Sequence, residues 1–146
     1  MAKLASDLMT SNPACCTPET TLDEVAKLMV ANDCGEIPIV DQSDHPIGVI
    51  TDRDIVCRVV ADGKNPMAHT AAEAMSQPVV TVPTSCELDD VVSTMEKYQI
   101  RRVPVVDDSG CLCGIIAQAD VARRGPEHEV AELVREVSKE GKGMQL

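Results

Sequence analysis

Residues 22–58, LDEVAKLMVANDCGEIPIVDQSDHPIGVITDRDIVCR, return at 88–124 as LDDVVSTMEKYQIRRVPVVDDSGCLCGIIAQADVARR, at a constant offset of 66 and without a gap. Twelve of the 37 aligned positions are identical, and many others exchange one aliphatic residue for another, as Ile37 with Val103 and Val49 with Ile115. A fixed period of this size means one supersecondary unit used twice. A unit of roughly 60 residues buries only about 60% of its unfolded surface and is marginal alone. Two copies packed together solve that problem and create two related clefts, where function is expected to lie.

Within each copy the pattern reads helix, strand, strand, helix. Leu22, Val25, Ala26 and Met29 recur at helical spacing, as do Leu88, Val91, Val92 and Met95. Thr21 with Glu24, and Thr84 with Glu87, have the spacing of capping boxes. Ile37–Val40 and Val103–Val106 read as short strands whose prolines, Pro38 and Pro104, suit a strand start or an edge. Turns at Asp41–His45 and Asp107–Gly110 lead to partner strands at Pro46–Ile50 and Leu112–Ile116. Helices follow directly at Asp52–Ala61 and Gln118–Arg124. Short lead-in helices are expected at Leu4–Met9 and Ala71–Met75. The boundaries are therefore 4–62 for the first repeat, 63–69 for a polar linker, 70–125 for the second repeat, and 126–146 for a C-terminal helix and tail. In that last helix Val130, Leu133, Val134 and Val137 form an apolar stripe on a charged background. It must be buried on the pair or on a second subunit, which points to a homodimer.

The composition narrows the function. The 146 residues carry a net charge of −11, with one Tyr and no Phe or Trp. An acidic chain without stacking rings is a poor nucleic-acid binder and is repelled by anionic membranes. No apolar run reaches the ~20 residues that cross a bilayer, and no signal peptide opens the chain. Seven cysteines at irregular spacings read as reduced thiols of a cytoplasmic protein. Cys15-Cys16 and Cys111-x-Cys113 lack the spacing of structural zinc sites, so a thiol or metal sensor is the weaker alternative to small buried hydrophobes. His45, His69 and His128 fall in separate segments, and His45 reads as a surface residue. No catalytic constellation is visible, so no enzyme activity is expected.

The motif with most chemistry is Gly48-Val49-Ile50-Thr51-Asp52-Arg53-Asp54. A strand ends in a hydroxyl residue, and a carboxylate follows three positions later on the opening turn of a helix. Thr51 sits beside free backbone N–H groups that favour anions. Asp54 is placed to accept both hydroxyls of a ribose. Plain helix capping by the same pair is the competing reading.

Two βαββα units, a Pro-hydrophobic-Val-Asp strand and the Gly-h-h-Thr-x-x-Asp motif resemble a tandem CBS domain pair, the Bateman module. The runs Ile50-Thr-Asp-Arg-Asp-Ile-Val, Gln99-Ile-Arg-Arg-Val-Pro-Val and Ala119-Asp-Val-Ala-Arg are similar to stand-alone bacterial CBS-pair proteins of the hypoxic-response type. The resemblance covers about residues 4–124. It implies an α+β fold of two repeats related by a pseudo-two-fold axis. It also implies a non-catalytic regulatory module that takes an adenine nucleotide, AMP or ATP, needs no cofactor, pairs as a homodimer and acts on a separate effector protein. Carried over by position, one site comprises Thr51, Asp54, Pro78, Val79, Val80, Ile100, Arg101 and Arg102. Either Arg101 or Arg102 can fork onto phosphate oxygens, although a solvated surface pair is the plainer reading. The second site departs from the pattern. Asp120 matches, but Ala117 replaces the hydroxyl, and Cys34-Gly35-Glu36 places an acid where the first site has arginine. It is expected to be weak or empty. A structural interaction domain without ligand is the remaining alternative.

Overall fold

Asp41 and Asp107 turn the chain in the same way. Each side chain accepts two backbone N–H groups on one oxygen, from Ser43 and His45 at 2.8 and 3.0 Å and from Ser109 and Cys111 at 2.9 and 3.0 Å. Such Asx turns are why a Val-Asp-x-Ser run closes a hairpin. Each turn also needs a left-handed residue, supplied by Asp44 at φ 63° and Gly110 at φ 81°. The computed structural model of the protein describes residues 3–77, 79–124 and 127–137. The hairpin strands are β2 (Glu36–Val40) with β3 (Pro46–Thr51), and β5 (Arg102–Val106) with β6 (Leu112–Ala117), each slightly longer than its expected span.

Neither proline starts its strand. Pro38 and Pro104 are each the third residue of a strand flanked on both sides. Beside β2, Cys16 donates to the Pro38 carbonyl at 3.1 Å, and Val40 donates back to Cys16 at 2.9 Å. Beside β5, the parallel ladder of β4 (Val82–Pro83) begins at Val105. Both outer ladders therefore use the proline carbonyl or residues beyond it, and the missing N–H is never called upon.

The chain divides into two units, residues 14–79 and residues 1–13 with 80–145. Each repeat's lead-in helix thus packs with the strands of the other repeat. In the 80–145 unit, β1 (Thr10–Ser11) pairs with β6, giving the sheet order β1-β6-β5-β4. In the 14–79 unit, bridges at Ser76 and Cys16 flank β3 and β2 in the same order. Helix α1 (Ala5–Leu8) docks on α5 (Leu88–Tyr98), with Ala5 donating to Cys86 at 2.7 Å and Leu88 to Lys3 at 2.9 Å. Helix α4 (Ala71–Ala74) docks on α2 (Leu22–Asn32) identically, with Ala71 donating to Thr20 at 2.7 Å and Leu22 to His69 at 3.0 Å.

This docking corrects two expectations. Thr21 is the N-cap residue of α2 but makes no side-chain cap, and its hydroxyl turns to Asp23 instead, while the His69 carbonyl takes the Leu22 N–H. The residue before α5 is Glu87 rather than Thr84, and it too makes no side-chain cap. Both helices end on a residue in the left-handed region, Asp33 at φ 49° and Gln99 at φ 51°. Arg58 and Arg124 close the lead-in helices. Arg58 donates to the Ala74 and Met75 carbonyls at 3.1 and 3.2 Å, and Arg124 to Asp7 and Leu8 at 2.8 and 3.4 Å. Their recurrence at the repeat period is structural.

The helices after the hairpins differ. Helix α6 (Gln118–Arg124) is α throughout, as expected. The expected Asp52–Ala61 helix is α only over α3 (Asp52–Ile55) and widens to a π turn at Val56–Val60, closed by Ala61 donating to Val56 at 2.8 Å. The β-branched run Ile55, Val56, Val59 and Val60 crowds an α turn and weakens it.

Aliphatic residues, with methionines and a few cysteines, fill both cores. Leu22, Val25, Ile37, Ile39 and Ile50 centre the 14–79 unit. Val91, Met95, Val103, Val105 and Ile116 centre the other. Helix α7 (Glu127–Val137) adds Leu133 and Val137 to the second core, and the Gln99 side chain donates to the Glu136 carbonyl at 3.1 Å. Of the expected stripe, Leu133 and Val137 are buried, Val134 is exposed, and the side chains of Val130 and His128 lie outside the described ones.

Candidate functional site

The strand-to-helix junctions hold the candidate residues. At the end of β3, Thr51 and Asp54 form a reciprocal capping box. The Asp54 N–H donates to Thr51 Oγ1 at 3.0 Å, and the Thr51 N–H donates to Asp54 Oδ2 at 2.9 Å. The capping reading of this pair is therefore correct, and it uses one carboxylate oxygen. The other oxygen, Oδ1, has no hydrogen-bond partner, although Asp54 is only 1% exposed. The nearest cation is Arg58, with Nε 3.8 Å away and its guanidinium committed to the α4 carbonyls. A buried oxygen without a hydrogen-bond partner costs about 1–3 kcal/mol.

Glu36 lies directly opposite Thr51 across the β2–β3 hairpin. Gly35 stands beside them because an added Cβ would meet the Asp52 carboxylate at 3.0 Å, while its carbonyl accepts the Asp52 N–H at 2.9 Å. This junction gathers a hydroxyl and several carboxylates.

The equivalent junction of the 80–145 unit is basic. Arg102 lies opposite Ala117 across the β5–β6 hairpin, and the Arg101 carbonyl accepts the Gln118 N–H at 2.8 Å. Arg101 is exposed, and Arg102 and Ile100 are half-buried. Asp120 is buried and accepts the Ala117 N–H at 2.8 Å. Its second oxygen is occupied, unlike that of Asp54, by Arg123 Nη2 at 2.9 Å. Sequence reasoning did not assign Arg123 to a site. The available signal was its position three residues after Asp120, on the same face of the helix.

The set carried over by resemblance therefore draws on both units. Thr51, Asp54 and Val79 belong to one, and Val80, Ile100, Arg101 and Arg102 to the other. Pro78 lies outside the described residues. In the weaker set, Gly35 and Glu36 share their unit with Thr51, and Asp120 shares its unit with Arg101 and Arg102.

Four of the seven thiols, Cys15, Cys16, Cys86 and Cys113, are raised by burial. Burial first, then the neighbouring Cys15, pushes the Cys16 thiol up to about 11. Burial also raises Cys15, helped by Asp44, as well as Cys86 and Cys113. Thiols held protonated at neutral pH are weak nucleophiles and weak ligands. His69 is tied to Glu73, Nδ1 to Oε2 at 2.5 Å. No group of three or more His, Cys, Asp or Glu side chains is placed to hold a metal ion among the described residues. No helix among them is long and apolar enough to cross a membrane.

Comparison with known proteins agrees with the fold. The CBS domain family matches residues 5–61 and 71–127. The chain belongs to the CBS domain family and carries that domain twice. It is 35% identical over 133 residues to hypoxic response protein 1 of Mycobacterium tuberculosis, covering 91% of this chain and 92% of that one. An uncharacterised protein of Methanopyrus kandleri is 42% identical over 123 residues, which are 84% of this chain and 62% of that longer one. A crystal structure of hypoxic response protein I with two coordinated zinc ions superposes with a TM-score of 0.78 at 35% identity, over 85% of this chain and all of that one. The CBS domain pair of protein MJ0100, in complex with 5-methylthioadenosine and S-adenosyl-L-methionine, matches at a TM-score of 0.75 and 31% identity, over 84% and 95% of the two chains. CBSX2 in complex with AMP matches at 0.71 and 25% identity, over 82% and 93%.

Proposed function

We propose that the chain is a non-catalytic sensor of adenine nucleotides that passes its state of occupancy to a separate effector protein. The observation that carries this reading is Asp54 Oδ1, a buried carboxylate oxygen without a hydrogen-bond partner beside a strand-end hydroxyl. A ribose diol supplies the missing donors. The family resemblance gives Arg101 and Arg102 the role of phosphate anchors, and Val79, Val80 and Ile100 that of aliphatic contacts for the base. The adenosine-containing ligands in the MJ0100 and CBSX2 structures support the choice of ligand class. A thermal-shift series with AMP, ADP, ATP, S-adenosylmethionine and methylthioadenosine tests it. Saturation at about 100 times Kd adds about 2.7 kcal/mol of stability. A flat melting temperature across all five ligands overturns the reading.

The same proposal includes a homodimer. Val30, Val56, Val60 and Met67 of the 14–79 unit are 84, 55, 53 and 68% exposed, and Val134 of α7 is 41% exposed. Large apolar residues left this exposed suit an interface with a second copy. Light scattering at micromolar concentration is expected to return twice the mass of one 15.6 kDa chain; the mass of a single chain rejects the dimer.

A further inference from the structure

Two carboxylates at equivalent places in the repeat are in different states. Asp54 keeps Oδ1 without a hydrogen-bond partner, whereas Asp120 has Arg123 Nη2 on its Oδ1 at 2.9 Å. Their other oxygens do the same work, accepting the N–H three residues earlier at 2.9 and 2.8 Å. The position equivalent to Arg123 is Cys57, whose thiol has neither the length nor the charge to serve Asp54. The repeat has thus produced one carboxylate with spare capacity and one that its own helix satisfies.

We propose that Arg123 is a built-in stand-in for a ribose diol, so that the Asp120 junction is a nucleoside site kept closed from within. This rests on the reading that Asp54 binds ribose. To a carboxylate, a guanidinium edge and a pair of vicinal hydroxyls are alternative sets of donors at the same distance. Arg123 can leave without disturbing the fold, because its side chain is 68% exposed. Asp120 cannot follow it into water, because its side chain is 8% exposed. Once Arg123 is gone, Asp120 Oδ1 becomes a buried acceptor short of a donor, the state in which Asp54 already stands. The ion pair therefore sets the specificity of the second junction. A ligand opens it only by outbidding a tethered guanidinium whose effective concentration is high.

Adenosine is the probe that isolates this effect. It carries no phosphate, so Ala117 in place of a hydroxyl and Glu36 in place of an arginine no longer matter. Calorimetric titration is run on the wild-type chain, on Arg123→Ala, and on Arg123→Ala combined with Asp120→Ala. One adenosine per chain is expected for the wild type, and two for Arg123→Ala, the second bound at least about tenfold more tightly than the wild-type junction binds it. The double variant returns to one. An Arg123→Ala chain that still binds a single equivalent overturns the proposal, as does a second equivalent that survives Asp120→Ala. The outcome also separates this inference from the reading beneath it. A wild type that binds none, with Arg123→Ala binding one, removes ribose recognition from Asp54 and leaves the Arg123 assignment standing.

Discussion

Asp54→Ala is expected to abolish nucleotide binding while the chain stays folded. The carboxylate supplies the acceptor for both ribose hydroxyls, and each charge-assisted hydrogen bond is worth about 1.5–3 kcal/mol. Losing two of them lowers affinity by roughly two to four orders of magnitude, at about 1.4 kcal/mol per tenfold. The same substitution removes the acceptor for the Thr51 N–H. That is the loss of a cap, at about 0.5–2 kcal/mol. It is partly offset because a buried oxygen without a hydrogen-bond partner goes with it. Asp54→Asn separates the two roles. Its amide oxygen can keep the Thr51 bond, while the charge that strengthens the ribose bonds is gone. Calorimetry with AMP and ATP, beside urea unfolding, should show both variants folded, Asn nearer to wild type in stability, and both severely weakened in binding. Unchanged affinity in Asp54→Ala removes the ribose assignment.

Titration of the wild-type chain with AMP is expected to find one tight site, at least about 100-fold stronger than any second. Three differences act in the same direction. Ala117 offers no hydroxyl where Thr51 does, Glu36 stands at the repeat position of Arg102, and Arg123 already occupies Asp120. The first removes a hydrogen bond to a charged group, about 1.5–3 kcal/mol, and the second adds like-charge repulsion against phosphate. Arg102→Ala and Thr51→Ala should then weaken AMP far more than Asp120→Ala does. Thr51→Ala also loses the Asp54 N–H bond, so its affinity is read against its own melting curve. Two equivalent sites per chain, or equal sensitivity to loss of Asp54 and of Asp120, would show the asymmetry to be misread.

The candidate site was legible to different depths. Thr51 and Asp54 stand three residues apart at the foot of a strand, so their hydrogen bonds are local and the spacing announces them. The same spacing supports capping and ribose binding alike. What tilts the balance is Oδ1, left without a hydrogen bond although Arg58 Nε stands 3.8 Å away, which depends on where the Arg58 guanidinium goes. It goes to the α4 carbonyls, 16 and 17 residues away. Arg123 stayed unread for a related reason. At the period of the repeat its counterpart is a cysteine, so comparison of the two copies gave no hint of a shared role.

The sequence by itself determined the repeat, the two hairpins, the apolar stripes of α2 and α5, and the double occurrence of a CBS domain. These are written in local patterns: alternation, helical spacing, and an aspartate that ties its own turn. Tertiary structure alone decided which strands each lead-in helix joins, and thereby who caps α2 and α5. Lys3 reaches Leu88, and Thr10 pairs with Ile115, across about a hundred residues of chain. Local propensity carries no information about such partners, since both repeats offer almost the same strand to almost the same helix. The choice is made by backbone groups that must all be paired once buried. A side-chain difference, Arg123 against Cys57, sets Asp120 apart from Asp54, and the repeat hides it because the two positions do not match.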